Sequence, residues 1–521
     1  MNRVIFLSDN TSFGKVGAQR YIGPYSVAHA LESAGYDTVV IDYFNRKTDF
    51  VEYFKKLLTK DTIFVGISST FISPAYSTKL WYSANALTHS TESYSSTPLM
   101  FKDSIDLKNW LAAIREAINE VCPQAKIFVG GAKVQFLLNY PNSDLHNIDY
   151  FFWGAADSVI VEIADQLVRN SDLHCIEVNG HKVIDTQSNY KISKDCPPFE
   201  WQHKWAIQTD EALPIEISRG CIFNCKYCHY EKKESFRKNL ESLKAEIIRN
   251  YEKFGTTKYH FCDDCFNDSR GKVEAVCNML ISLPFKIEWV SYARVDVAIK
   301  FPDTVRLMVD SGAKALHWGI ETLNSKVAKQ VGKGTPSELV MKFLLDFYKD
   351  YGDRCLSHGS FITGLPGETA ETQMKTIDWI CDNDALNFIT VGPLKLFPYK
   401  NSFDGQAMDF SDYSRDPKKY GFTKISFNPS DWEHETMNRT QAYEFATVFN
   451  ERWRSSRDYR RGTINTMWNY PHLRSLGYAQ EEVRKIYFDL KLSGMYAKEL
   501  NKKFENRLEK YFNDLIDLNA R

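Results

Sequence analysis

Cys221, Cys225 and Cys228 place three thiols in one short loop, at a C-x3-C-x2-C spacing, directly after the strand-like run Leu213–Ser218. Thiolates are the ligands of iron–sulfur clusters, and a cubane has four irons to satisfy. Three closely spaced thiolates hold three of them, and no fourth cysteine follows at matching spacing. One iron is then open to a small molecule, which suits chemistry more than storage of an electron. A zinc knuckle, or three unrelated core cysteines, is the competing reading. Zinc prefers a closed set of four Cys or His ligands, commonly in separated pairs. His229 is available, but it adjoins Cys228, and adjacent residues rarely converge on one tetrahedral ion.

Other chemistry-bearing residues follow strand-like runs further along. Phe261-Cys-Asp-Asp-Cys-Phe-Asn267 offers two carboxylates, Asp263 and Asp264, able to bind a cation by charge-assisted hydrogen bonds. The same residue type also caps helices and turns. Cys262 and Cys265 form a C-x2-C pair; with no second pair nearby, two small residues that happen to be cysteine account for it better than a redox or metal role does. Ser291-Tyr-Ala-Arg294-Val-Asp296 carries an arginine whose planar fork fits a carboxylate, either a ligand's or that of Asp296. Gly319-Ile-Glu321 and Gly364-Leu-Pro-Gly367-Glu368-Thr369 complete the series.

The cysteine spacing, Tyr227 before the last cysteine and the preceding Ser218-Arg219-Gly220 resemble the signature of the radical S-adenosylmethionine (SAM) enzymes. That resemblance implies a [4Fe-4S] cluster on Cys221, Cys225 and Cys228, with SAM on the open iron. One electron then splits SAM into methionine and a 5′-deoxyadenosyl radical. It further implies SAM contacts: Tyr227 and Ser291, Asp264 or Asp263 for the ammonium, Arg294 for the carboxylate, Glu321 for the ribose, and Gly364 where backbone approaches adenine. Glu368 reads as the start of a helix. An electron donor such as flavodoxin or ferredoxin is implied as partner.

The elements that must position these residues are legible as alternating runs. Val4–Leu7, Thr38–Ile41, Ile63–Ser68, Ile127–Val129 and Tyr150–Trp153 read as strands. Ser26–Ala34, ending at Gly35, and Asn109–Val121 read as helices. Strands separated by helices predict a doubly wound parallel sheet with ligands at the carboxyl ends of its strands. Gly23-Pro-Tyr25, Gly35-Tyr-Asp37, Val65-Gly-Ile-Ser-Ser69, Val129-Gly-Gly131 and Asp149–Gly154 resemble the Rossmann-type cobalamin-binding domain that precedes many radical SAM barrels. The Asp-x-His-x-x-Gly motif of that domain is absent, since the chain reads Ser8-Asp9-Asn10-Thr-Ser-Phe-Gly14. Cobalamin is still expected, with its lower face free of a protein ligand; loss of the cofactor is the alternative. The Ser/Thr/Tyr-rich stretch Phe71–Lys102 is longer than a common loop and reads as a lid or a surface insertion.

From Leu213 the alternation resumes, with strands near Leu213–Ser218, Lys258–Phe261, Ile287–Tyr292, Ala315–Gly319, Ser360–Thr363 and Phe388–Leu394. Helices over Leu240–Phe254 and Pro302–Ser311 lie between them. Such βα units wrap into a full or partial barrel whose active site sits at the carboxyl ends of the strands. The predicted organisation is an α/β chain: a Rossmann-like domain over 1–185, a polar linker over 186–212, a partial (β/α)6-type barrel over 213–400, and a mainly helical region over 401–521. Gln480–Leu492 and Ala497–Leu515 are the clearest helices of that last region, which reads as a substrate-shaping cap or a packing appendage. It has no cysteine, which excludes a second cluster there.

Composition sets the outer bounds. The chain has 521 residues, 43% hydrophobic and 25% charged, with a formal net charge of -1. That balance is ordinary for a globular protein and gives no global attraction to nucleic acid or anionic membrane. Eleven cysteines without regular pairing argue for a reducing compartment, and the cytoplasm is expected. No run approaches the roughly 20 apolar residues of a membrane span.

The functional expectation is cobalamin-dependent methyl transfer to an unactivated carbon of a small molecule or peptide, because such a carbon lacks the nucleophilicity for polar transfer from SAM. A radical cyclase, rearrangement or hydrogen-abstraction enzyme without cobalamin is the alternative, motivated by the missing histidine. Methylthiotransfer to tRNA would call for a further three-cysteine set and a small basic domain, neither of which is evident. A cobalamin or Fe–S sensor would call for an output module, and no helix-turn-helix or strongly basic segment is evident.

Overall fold

The structure is a computed structural model, and it describes residues 1–9, 19–69, 104–131, 134–138, 145–186, 196–228, 235–399, 410–426, 431–461 and 466–520. Asn10–Gly14, Phe71–Lys102 and His229 lie outside those residues.

Near the N-terminus, β1 (Arg3–Leu7), β2 (Asp37–Ile41), β3 (Thr62–Ser68), β4 (Lys126–Gly130) and β5 (Tyr150–Trp153) pair in parallel in the order β2-β1-β3-β4-β5. A strand covered on both faces needs a continuous apolar run rather than alternation. In β1, Val4 and Phe6 pack with Tyr25, Ala28 and Leu31 of helix Ile22–Ser33, whereas Ile5 and Leu7 pack with Phe54 and Leu111 on the other side. The hairpin of β6 (Ile176–Val178) and β7 (His181–Asp185) extends the sheet, with β7 parallel to β5.

The second sheet comprises β8 (Leu213–Glu216), β9 (Lys258–Cys262), β10 (Glu288–Arg294), β11 (Ala313–Glu321), β12 (Leu356–Thr363) and β13 (Phe388–Pro393). Its six strands are parallel and lie in chain order, with β8 and β13 at the edges, so it is a partial barrel among the described residues. The connecting helices are set by local signals. In Leu240–Phe254, the Asn239 side chain caps the Ser242 N–H, and Leu243, Ile247, Asn250 and Phe254 form the buried stripe. The helix stops at Gly255, whose φ of +68° suits glycine.

The connector carries more packing than its polar composition implies. Trp201 and Trp205 are fully buried against Tyr25, joining the two sheets' cores. The region after residue 410 is also less uniform than expected. It contains an antiparallel hairpin, β14 (Phe422–Ile425) with β15 (Trp432–His434), and helix Arg439–Ser456. The two predicted C-terminal helices are Gln480–Phe488 and the longer Leu490–Asn519, separated by extended Asp489.

This region has two partners rather than one. Met467, Tyr470, Leu473, Ile486 and Tyr487 fill the barrel floor against Val290, Ala315, Leu356 and Phe388. Phe504, Leu508, Tyr511, Phe512 and Leu515 pack into the N-terminal core. Among the described residues, no helix is long and apolar enough to cross a membrane.

Candidate active site

The thiol loop leaves the barrel at the carboxyl end of β8. Ser218–Arg219 pairs antiparallel with Phe236–Arg237, which brings the loop's two ends together. Cys225 is buried, and Cys221 and Cys228 are half-buried. Neighbouring elements hold the loop from several sides. The Lys226 N–H donates to Val331 O at 3.1 Å, the Tyr413 N–H donates to Lys226 O at 3.2 Å, and Lys226 Nζ pairs with Asp412 at 2.6 Å. Tyr227 Oη donates to Glu321 Oε1 at 2.8 Å, so two residues singled out from the sequence meet, 94 positions apart. Gly332, at φ +88°, lies beneath: a Cβ there would sit 3.3 Å from Asn224 O.

Arg294 ends β10 under this loop. Its Nη1 donates to Cys225 Sγ at 2.9 Å, its Nε and Nη2 donate to Asp296 at 2.9 and 2.6 Å, and Nη2 also donates to Gly332 O at 3.1 Å. The guanidinium stacks on Phe223, 3.9 Å from the ring centre. Both readings of this arginine therefore have a structural answer: its fork is filled by Asp296, and its remaining reach is to the Cys225 thiol.

The acidic pair separates. Asp263 turns inward, pairing with Lys272 Nζ at 2.6 Å, and its Oδ1 accepts from the Cys265 N–H at 2.9 Å. Burial outweighs these partners and raises its pKa. Lys272 is also shared with Ser218 Oγ at 2.9 Å and Asp268 at 3.3 Å. Asp263 thus has a buried partner of its own, whereas Asp264 is exposed at the barrel mouth.

Ser291 departs from its expected place. Side chains alternate along a strand, so Ser291 shares the outer, helix-facing side with Trp289 and Ala293 and is fully buried. Tyr292 and Arg294 face the lumen. Tyr292, which the sequence reading passed over, is 45% exposed there and packs against His317 and Trp468. Its parity with Arg294 was the available signal.

Cys265 lies against Cys221. A hydrogen bond from Cys265 is the largest influence drawing the Cys221 thiol down to about 7, while Cys265 itself is pushed up. Burial pushes Cys262 up to about 12. Thiolate is the metal-binding form, so the loop's chemistry and the cation beside Cys225 fit iron–sulfur ligation. Among the described residues no three His, Cys, Asp or Glu side chains converge on a single ion, so this fit rests on donor type and support rather than on closed coordination.

Glu321 sits at a break in the β11–β12 register with φ +68°, a strained conformation for a non-glycine residue. Besides Tyr227 it meets Lys333 Nζ at 3.2 Å, while Ser360 Oγ lies 3.5 Å from its second oxygen. Lys333 is a member of the site that no motif marked. Gly364, at φ +79°, serves the chain's own packing: a Cβ would fall 2.5 Å from Ala442 Cβ and 2.6 Å from Trp432 Cη2. The neighbours that come closest are therefore helix Arg439–Ser456, through Ala442, and the C-terminal hairpin, through Trp432. Glu368 precedes helix Ala370–Asp382, which Thr369 caps, and its oxygens accept from Thr322 and Thr372 hydroxyls.

At the carboxyl ends of the N-terminal sheet, Ser8, Asp9, Asp42 and Ser69 are buried polar residues close to the predicted cofactor edge. No histidine precedes His29 in the chain, so the first loop has none to offer a cobalt.

A parallel partial barrel with three thiols at the carboxyl end of its first strand defines a class. Residues 215–380 match the family model described as the Radical SAM superfamily. The fold similarity extends beyond that segment to two solved radical SAM enzymes. The enzyme OxsB, solved with aqua-cobalamin and SAM, superposes with a TM-score of 0.55 over 99% of this chain and 84% of its own, at 14% identity. The radical SAM methyltransferase TsrM of Kitasatospora setae, solved with tryptophan and a SAM analogue, gives 0.54 over 81% and 78%, at 15% identity.

Among curated proteins, an uncharacterized methyltransferase of Pyrococcus horikoshii is 25% identical over 288 residues, 51% of this chain and 59% of its own. Bacteriochlorophyllide d C-12(1)-methyltransferase of Chlorobaculum tepidum is 22% identical over 317 residues, 58% and 66%. The chain thus spans about three-fifths of the length of these relatives.

Proposed function

We propose that this protein is a cobalamin-dependent radical SAM methyltransferase acting on an unactivated carbon of a small molecule or peptide. The observation that carries the reading is the placement of the Cys221–Cys228 loop at the carboxyl end of β8, within a chain that shares the OxsB fold over 99% of its length. Methyltransferase relatives from Pyrococcus horikoshii and Chlorobaculum tepidum support the reaction type.

Residues 1–185 serve as the cobalamin domain, 213–400 as the radical barrel and 401–521 as the closing region. When bound, the cluster supplies the electron that cleaves SAM, and cobalamin supplies the methyl group. Cys221, Cys225 and Cys228 hold three irons. Asp264 orients the ammonium of SAM, and the second oxygen of Glu321 is placed for a ribose hydroxyl. Tyr227 and Lys333 fix that carboxylate, so it meets a ligand without rearranging. Tyr292 presents a ring to the lumen where substrate enters, and the C-terminal residues that fill the barrel floor exclude water from below. A flavodoxin or ferredoxin is the class of electron donor.

One observation favours a second reading, a radical enzyme without cobalamin: no histidine lies near the end of β1. Anaerobic purification with cobalamin supplied, followed by an absorption spectrum and an iron count, separates the two. About four irons with a corrin band is the expected result. Iron without corrin selects the second reading, and iron binding that survives loss of Cys221 overturns both.

A further inference from the structure

We propose that Arg294 is a positioning residue of the cluster, acting through Cys225, rather than the anchor of the SAM carboxylate. The inference rests on the cluster assignment made above. A guanidinium has five N–H donors. Four of them are engaged: two on Asp296, one on Gly332 O and one on Cys225 Sγ. A single Nη1 donor is left, which cannot form the two parallel hydrogen bonds that make arginine a carboxylate clamp.

The residue is also fixed at both of its ends. Asn267 Oδ1 accepts from the Arg294 N–H at 2.7 Å, and Asn267 Nδ2 donates to Arg294 O at 2.9 Å. Phe223, from the thiol loop itself, covers the guanidinium plane. Asp296 therefore holds the fork, Asn267 holds the backbone, and the donor aimed at Cys225 has no freedom to turn toward a ligand.

Such a donor has a defined electrochemical effect. Reduction adds negative charge to a cluster and its thiolates. An N–H directed at a ligating sulfur stabilises the reduced form more than the oxidised one, and hydrogen bonds to cluster sulfurs set potentials in this way. The Asp296 carboxylate offsets most of the arginine's charge, so what reaches the cluster is a directed hydrogen bond.

The test uses the anaerobically purified full chain carrying its cluster. The midpoint potential is read by a redox titration followed by electron paramagnetic resonance, and SAM affinity by equilibrium dialysis. In Arg294→Gln the potential falls by at least about 59 mV, a tenfold shift of a one-electron equilibrium, while the Kd for SAM stays within about threefold. Arg294→Lys, which keeps the charge, recovers part of the potential. An unchanged potential with SAM affinity reduced tenfold or more overturns the proposal and returns Arg294 to the carboxylate. Where Arg294→Gln holds no iron, Asp296→Asn decides: the unbalanced guanidinium raises the potential, and an unchanged potential overturns the proposal. Absence of iron from the unsubstituted chain would instead remove the cluster assignment on which this rests.

Discussion

Replacing Lys272 with methionine tests whether Asp263 is a structural partner or a ligand contact. Lys272 Nζ lies 2.6 Å from Asp263 and 3.3 Å from Asp268, and each of these side chains is at most 1% exposed. Ser218 Oγ at 2.9 Å and Cys265 O at 3.2 Å complete its shell. Removing the ammonium leaves two carboxylates facing each other without water. Breaking a buried pair from one side costs about 3–5 kcal/mol, and the second carboxylate places this site at the upper end. Lys272→Met combined with Asp263→Asn removes one of the stranded charges and regains part of that loss, so the cycle reports a coupling of about 1–3 kcal/mol. Urea unfolding followed by tryptophan fluorescence supplies the free energies, and equilibrium dialysis supplies SAM affinity. A loss below about 1 kcal/mol for Lys272→Met, or an Asp263→Asn protein of full stability that no longer binds SAM, refutes the assignment.

Gly364→Ala combines positive φ with contacts of 2.5 and 2.6 Å to Ala442 and Trp432, so it destabilises by about 2–4 kcal/mol; a variant with an unchanged urea midpoint contradicts that packing. Asp42, fully buried at the end of β2, has its carboxyl pushed up to about 7 by burial. The native state thus keeps a proton that the unfolded chain releases, and this contribution is complete below the ordinary carboxylate pKa and lost as pH rises through about 7. Asp42→Asn therefore gains stability over the unsubstituted protein between pH 5 and 8, by roughly 2–4 kcal/mol; parallel urea midpoints across that range exclude the effect.

Strand positions were legible because each central strand must be apolar along its length, and runs such as Val4–Leu7 and Ile127–Val129 have no other use. Helix Leu240–Phe254 was legible to the residue, since its cap Asn239, its apolar spacing and its stop at Gly255 are all local. The candidate site was legible only in part. Asp263 and Asp264 are adjacent and alike in type, and what distinguishes them is Lys272, which reaches back from the following helix. Ser291 is buried and Tyr292 half-exposed because one step along a strand reverses the facing. The buried Trp201 and Trp205 stood in a stretch whose prolines and polar residues read as a connector.

By itself the sequence determined the thiol loop, its place after the first barrel strand and the order of the βα units, since each is written in neighbouring residues. Tertiary structure alone decided what those residues touch. Arg294 meets Cys225 across 69 positions, Tyr227 meets Glu321 across 94, and Tyr511 accepts from the Asp42 N–H across 469. Spacing along a chain reports local periodicity, whereas these contacts depend on how whole elements pack. The barrel brings strand ends together, and the side chains that meet there are chosen by facing, burial and the charges already present.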